Sequence, residues 1–180
     1  MIWRLAAAIG CSLLIAAALG GCAGNNNPIA GLPGFNEPLA TADAKLNVDA
    51  AQAVISTYRT NNGLGPVSID PELMKLAGEQ ARAMAQRDKL DHNVWRPFQQ
   101  RIQQSSFDAS VAVENIAAGY DTLAEAFSGW RASAAHRSNM LNPAVTKMGI
   151  AAVYAPKSKY KVFWSLILAK PDDQRRAERG

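Results

Sequence analysis

The sequence predicts an α+β fold in which helices flank a small, mostly antiparallel sheet. Two observations lead to this prediction. Apolar residues recur at helical spacing through the first part of the chain, and two apolar runs follow one another near its end. The turn-forming residues 156–159 separate those two runs, so we expect them to pair as an antiparallel hairpin.

The first two helices have recognisable ends. One is predicted over residues 47–61, where apolar residues follow the i, i+3, i+4, i+7 spacing from Ala51 and an Asn-Asn-Gly run stops it. The next begins at Asp70, an N-cap residue followed by Pro71 at the first helical position. It is expected to end near Asp88.

The remaining elements follow in order. A short helix is predicted over residues 97–104, and residues 110–117 are predicted to be a strand or an extended segment. A further helix starts near Thr122. The closing strands are residues 148–154 and 160–169. The last strand is almost continuously apolar, which is typical of a strand covered on both faces.

Residues 1–22 are predicted to be an export signal, because Arg4 precedes an uncharged apolar stretch too short to span a membrane. The signal ends in Leu-Gly-Gly-Cys22, which resembles a bacterial lipobox, so Cys22 is the expected lipidation site. An ordinary signal peptide with an incidental cysteine is the alternative. A similar string ending at Cys11 lies too early. Ala23 follows Cys22 at the position where an aspartate would signal inner-membrane retention in some bacteria, so we expect the outer membrane if the source is Gram-negative.

The mature chain is expected to form one domain. Residues 23–40 are rich in Gly, Pro and Asn and are predicted to be a flexible tether, 41–171 the domain, and 172–180 a disordered charged tail. Without the signal, 18 basic residues face 15 acidic ones, a net charge of +3. This weak, scattered charge argues against nucleic-acid binding.

Four side chains carry the candidate chemistry. The chain has two histidines, His92 and His136, and between them lie Glu114 and Glu125. Two imidazoles and two carboxylates are the usual ingredients of a divalent-metal or acid–base site. The interpretation as a site requires these four groups to converge in the fold.

Each of these residues also has a structural interpretation. Thr122 and Glu125 have the spacing of a capping box, with Glu125 reaching back to the helix start. Glu114 lies in an apolar run, where either a site role or an ion pair with an arginine would compensate its burial. Either histidine could be a helix-end or surface residue.

The order of the motifs resembles the CAP superfamily, also called the SCP domain. The resemblance covers about residues 47–169. It rests on Tyr58-Arg59 with Asp70-Pro71, Asp91-His92, Glu114-Asn115-Ile116-Ala117, Glu125 to Trp130, His136-Arg137-Ser138-Asn139 with Asn142-Pro143, and Lys147-Met148-Gly149-Ile150.

The resemblance implies a three-layer α-β-α sandwich with a cleft lined by His92, Glu114, Glu125 and His136, beside Asn115. It also implies that the two histidines ligate a divalent metal such as Zn²⁺, held weakly and exchangeably. The family pattern has glycine where this chain has Val113 and Ala135.

Three functions remain open at this point. The first is a lipid-anchored binding module of the cell envelope whose cleft takes a metal and a lipid, sterol or peptide ligand. The second is a zinc-dependent hydrolase in which Glu114 or Glu125 is catalytic. The third is a structural envelope protein with a vestigial cleft.

Overall fold

The computed structural model describes residue 29 and residues 31–175. The predicted export signal with Cys22, the first part of the predicted tether and the last five residues of the predicted tail lie outside the described residues. In the part of the chain that is described, no helix is both long enough and apolar enough to cross a membrane.

The sheet has four strands. They are β1 (Ser68–Ile69), β2 (Ala109–Ala118), β3 (Lys147–Tyr154) and β4 (Val162–Pro171), in the spatial order β1-β3-β4-β2. The β3–β4 hairpin and the β2–β4 pair are antiparallel, whereas β1 pairs parallel with β3. The predicted hairpin is confirmed. β1 was not predicted, because two residues are too short to show a period.

The helices that accompany the sheet are α1 (Val48–Thr60), α2 (Pro71–Arg87), α3 (Phe98–Gln103), α4 (Leu123–Ala132) and α5 (Ala134–Met140). The first four confirm the predicted helices. The fifth was not predicted. Ser133 adopts an extended conformation that ends α4, and its side chain caps the start of α5. One residue therefore separates two helices.

Strand β4 lies between two helical layers. Trp164, Leu166 and Leu168 pack into a core with residues of α1 and α4. The alternate residues Ile167 and Ala169 pack against α2 and α3. The predicted three-layer sandwich and the predicted two-sided burial of this strand are both confirmed.

Helix α2 approaches β3 so closely that the contact requires a glycine. A Cβ built at Gly149 would overlap the backbone of Leu73 and Met74. A helix backbone lying this close to a strand leaves no room for a methyl group.

The segment that precedes α1 lies against α4. The Leu39 amide donates to the Asp121 carbonyl at 2.7 Å, and the Ala124 amide donates to the Phe35 carbonyl at 2.9 Å. Leu39 is buried in the core. The C-terminal part of the predicted tether is thus packed onto the domain.

Candidate functional site

The edge strand β2 places two adjacent polar residues on opposite faces of the sheet. Glu114 faces the α2 and α3 layer, where Ser165 Oγ donates to its Oε1 at 3.4 Å. Asn115 faces the other layer, where its Nδ2 donates to the His136 carbonyl at 3.0 Å. Since successive side chains of a strand alternate, one short segment serves both sides of the sheet edge.

His92 lies in the loop between α2 and α3 and is oriented by Glu114. Its Nδ1 is 2.8 Å from Glu114 Oε2. The His92 side chain is 46% exposed, whereas that of Glu114 is 1% exposed. When Nδ1 carries the proton and donates to this carboxylate, the Nε2 lone pair is free to bind a ligand.

Arg101 on α3 completes this arrangement. Its Nη2 donates to both oxygens of Glu114, at 3.0 and 2.9 Å, and to the His92 carbonyl at 3.1 Å. Its Nε donates to the Arg96 carbonyl at 3.2 Å. One buried guanidinium therefore compensates the buried carboxylate and fixes the loop that carries His92.

The other histidine, His136, is held through its backbone. It lies in the first turn of α5, where its amide bonds to the Ser133 hydroxyl. Asn139, one turn later, donates to Asn115 Oδ1 at 2.9 Å and to the Glu114 carbonyl at 3.2 Å. These bonds fix α5 to β2 and thereby fix the position of the His136 backbone, from which the imidazole extends.

A second buried arginine holds the end of α5. Arg59 Nη1 donates to the carbonyls of Met140 and Asn142, both at 2.8 Å, and its Nη2 donates to the Val145 carbonyl at 3.0 Å. Burial lowers the pKa of this guanidinium. Together with the Gly65 carbonyl, which accepts from Nε at 2.9 Å, these carbonyl groups compensate the buried charge.

Both histidines lie beside the same short segment of β2, since His92 contacts Glu114 and the carbonyl of His136 accepts from Asn115. Burial is the main cause of the lowered pKa of His136, and the positive charge of His92 lowers this pKa further. A charge affects a neighbouring titration only at short range. The contribution of His92 to this lowered pKa agrees with that placement.

Glu125 is engaged at the start of α4. Its Oε2 accepts from the amides of Asp121 and Thr122, at 2.8 and 3.1 Å, while the Glu125 amide donates to Thr122 Oγ1. This is the capping box that the sequence offered as the structural interpretation.

Two pockets adjoin the histidines. One, of about 310 Å³, is lined by His92, Phe98, Val113 and Glu114 among others. The other, of about 240 Å³, is bordered by His136 with apolar neighbours that include Leu90 and Trp130. Polar groups therefore lie beside apolar walls, an arrangement that suits a small ligand.

The donors for a metal are few. Within residue 29 and residues 31–175, no group of three or more His, Cys, Asp or Glu side chains is placed to hold a metal ion. The candidate donors are the imidazoles of His92 and His136. Glu114 is hydrogen-bonded to the imidazole of His92. Such a pair fits an open, exchangeable site rather than a closed structural one.

Three residues of this arrangement received no role from the sequence: Arg59, Arg101 and Asn139. Arg59 and Asn139 stood inside matched motifs without an assigned function. Arg101 carried no local signal, although a carboxylate in an apolar strand does require a cation somewhere in the fold. Val113 and Ala135, which replace family glycines, have no positive φ, so both fit ordinary backbone here.

The motif order predicted a family, and comparison with known proteins tests this prediction. The sequence profile of the cysteine-rich secretory protein family, CAP, matches residues 52–168, which is more than half of the chain. The chain belongs to the CAP family. Both histidines, Glu114 and Glu125 fall inside the matched span of this CAP domain.

The Bacillus subtilis protein YkwD is 30% identical over an alignment of 128 residues, and the match covers 63% of this chain and 49% of YkwD. The chain thus spans about half the length of this curated relative. An outer surface protein from Borrelia burgdorferi superposes with a TM-score of 0.64 at 21% identity, over 73% of this chain and 97% of its own.

An extracellular SCP-domain protein from Bacillus anthracis gives a TM-score of 0.60 at 22% identity, over 68% of this chain and 39% of its own. At these identities the likeness shows that the CAP fold is shared.

Proposed function

We propose that this CAP-domain protein is an exported, lipid-anchored binding module of the cell envelope, in which His92 and His136 together hold a divalent metal ion. The observation that carries the proposal is the bond between His92 Nδ1 and the buried Glu114 carboxylate. Carboxylates in this position orient a metal-binding imidazole and raise its basicity.

The two histidines would hold the ion and leave its other positions to water or ligand, so zinc is the natural probe. When bound, such an ion supplies a Lewis acid that can polarise a ligand's carbonyl or phosphoryl oxygen. The adjoining pockets would then take the apolar or peptide part of the same ligand.

Binding is favoured over hydrolysis by the state of Glu114. A general base has to reach a water molecule, but this carboxylate is 1% exposed and is already bonded to Arg101 and His92. Glu125 is committed to its capping box. Neither carboxylate is therefore free to act as the base that the hydrolase would need.

Calorimetric titration with zinc tests this proposal. The 180-residue chain should bind one zinc ion, and the His92→Ala/His136→Ala variant should not bind it. Equal binding by both proteins, or binding by neither, would remove the metal from the proposal. Hydrolysis of ester or peptide substrates by the zinc-loaded protein, lost in Glu114→Gln with zinc still bound, would establish the enzyme instead.

Export is supported by the relatives, two of which are described as an extracellular protein and an outer surface protein. Anchoring rests on Cys22. Labelled palmitate fed to bacteria that express the chain should enter the protein. Cys22→Ala should abolish the label, and Cys11→Ala is the matched control that should keep it. Label retained in Cys22→Ala would contradict anchoring at this residue.

A further inference from the structure

The sheet ends at β2, since β4 pairs with one side of this strand and no described strand pairs with the other. Two spaces adjoin along the free side. One is the pocket of about 310 Å³ beside His92, and the other, of about 370 Å³, lies nearer the start of β2. Ala112 and Gln99 line both, so we call the two together the edge groove. From β2, it is lined by the consecutive residues 109–114.

The lining shows that the edge groove follows the edge of the sheet rather than one face. Side chains of successive strand residues alternate between the two faces. Ala112 packs against the α2 and α3 layer, whereas Val111 and Val113 pack against the other layer. A space that is lined by all three residues lies beside the strand backbone.

The main chain of Ala112 is turned toward this free side. The Glu114 carbonyl accepts from Asn139, and the Ile116 carbonyl accepts from the indole of Trp130, so neither of these carbonyl groups is bonded to β4. In an antiparallel pair, alternate residues of a strand turn their N–H and C=O groups away from the partner strand. Ala112 is two residues before Glu114 and therefore faces the same way.

The opposite residue in β4 agrees with this direction. Ala112 is opposite Ala169, and the Ala169 carbonyl accepts from the Thr146 amide at 3.0 Å, which lies on the β3 side. No described residue forms a main-chain bond to the N–H or C=O of Ala112 from outside the sheet. Unpaired groups on an edge strand are a template for the main chain of another polypeptide.

The free part of the edge is short and has walls. Helix α3 forms one wall, while α5 occupies the Glu114 carbonyl through Asn139. Residues 109–113 remain, a length of roughly 17 Å. A short extended segment fits this length better than a second copy of the chain does, because the α3 and α5 of that copy flank its own edge in the same way.

The charged groups of the edge groove are already paired. Glu114 is bonded to Arg101, and Arg175 at the opposite end is bonded to Asp172 at 3.0 Å. The wall supplied by α3 consists of apolar side chains and two amides one turn apart, which are Phe98, Gln99, Ile102 and Gln103. This lining suits small or apolar side chains without charge.

We propose that the edge groove binds an extended, uncharged peptide segment, which adds to β2 as a further antiparallel strand. The ligand residue opposite Ala112 would accept from its amide and donate to its carbonyl. Main-chain bonds of this kind supply affinity, and the walls select the side chains. The proposal deepens the binding function proposed above, and it rests on that function only in placing the peptide beside His92.

Hydrogen exchange at the Ala112 amide tests the proposal. The probe is acetyl-Thr-Ala-Val-Ala-Thr-amide, added at saturation to the ¹⁵N-labelled 180-residue chain with a chelator present. We expect exchange at Ala112 to slow by at least about tenfold, because its amide gains an acceptor. Exchange at Val113, which faces β4, should change little.

Two further peptides separate main-chain pairing from other binding. The same peptide with its three central amides methylated lacks the donors that a strand needs and should leave exchange at Ala112 unchanged. The peptide with Glu in place of Val should bind more weakly than the parent peptide, since the groove offers no unpaired cation for its carboxylate.

Matched variants show whether the groove is responsible, with peptide affinity measured by calorimetry. Gln99→Trp fills the groove from α3 and should weaken binding by at least about tenfold. Gln100→Trp is the control, because this neighbouring residue is exposed and does not line the groove. Ala112→Pro removes the outward donor at a place where an edge strand tolerates proline, and it should also weaken binding by about tenfold.

The proposal is overturned by unchanged exchange at Ala112 with the peptide, by equal binding of the methylated or the Glu peptide, or by an equal loss in Gln100→Trp. Protection of Ala112 that appears without peptide and grows with protein concentration would assign the edge to a second copy, which also overturns it. All measurements use metal-free protein, so failure here is distinct from failure of the zinc site.

Discussion

Arg101 and Glu114 form a buried ion pair, with both side chains almost fully removed from solvent and Nη2 2.9 Å from Glu114 Oε2. The pair joins α3 to the edge strand β2. It also fixes the position of the carboxylate that orients His92. The stability of the domain and the geometry of the candidate site therefore depend on the same contact.

Replacing Arg101 by Met should destabilise the domain by about 3–5 kcal/mol, because Glu114 would remain as an uncompensated buried charge. Urea unfolding measures this loss. Lys75→Met is the matched control: it breaks the exposed pair with Glu72 and should cost at most about 1 kcal/mol. The Arg101→Met/Glu114→Met variant should lose much less than the sum of the single changes. Strict additivity would contradict the proposed coupling.

Gly149→Ala should destabilise the domain by about 3 kcal/mol, at the upper end for overpacking, because the new methyl group would meet helix backbone rather than a movable side chain. Gly65→Ala is the control. No atom lies within 4 Å of its added Cβ, so its effect on the free energy of unfolding should stay within about 1 kcal/mol. Equal unfolding midpoints for the two variants would contradict the close packing of α2 on β3.

Glu125→Ala should cost about 1 kcal/mol, because two amides at the start of α4 lose their acceptor. Thr122→Ala removes the other half of the capping box and should cost a similar amount. Chemical denaturation of the single and double variants measures their coupling. We expect zinc affinity to stay within about twofold of the parent in Glu125→Ala. A larger loss of zinc affinity would give Glu125 a role at the metal.

The pKa of His136 in the metal-free protein should rise when His92 is replaced by Asn, because the neighbouring positive charge is removed. It should remain below its usual value, since burial is the larger cause of the lowered pKa. Proton NMR of the imidazole in the presence of a chelator follows this titration. An unchanged pKa in the variant would contradict the proximity of the two rings.

The same shift has a consequence for stability. Because the folded protein binds this proton less readily than the unfolded chain, the contribution of His136 to stability is greatest above pH 6.5, the ordinary pKa of histidine. It falls as the pH drops below that value, and the loss is complete below the folded-state pKa. His136→Gln should flatten this dependence in unfolding measured between pH 7.5 and 5. A parent protein that gains stability relative to His136→Gln on acidification across this range would contradict the sign.

The sequence predicts those parts of the fold whose cause is local. Asp70 with Pro71 marks the start of α2, and the apolar run of β4 indicates a strand covered on both faces. The capping box of Thr122 and Glu125 is readable for the same reason. Each depends on residues only a few positions apart.

The features that the sequence does not predict depend on contacts between residues that are far apart in the chain. Arg101 acquires its role from Glu114, which is 13 residues later, and Arg59 donates to the carbonyls of Asn142 and Val145, which follow α5. Strand β1 exists because β3 pairs with it. No spacing within the sequence identifies which arginine will be buried against which acceptor.

The most direct test of the central claim, that His92 and His136 share one ion, is a zinc titration followed by the NMR signals of their side chains. They are the two histidines of the chain, so their signals can be assigned by single substitution. We predict that both imidazoles shift along one saturation curve that ends at one zinc per protein, and that replacing either histidine removes the response of the other. A response from only one imidazole, or two separate curves with different stoichiometries, would contradict a shared site.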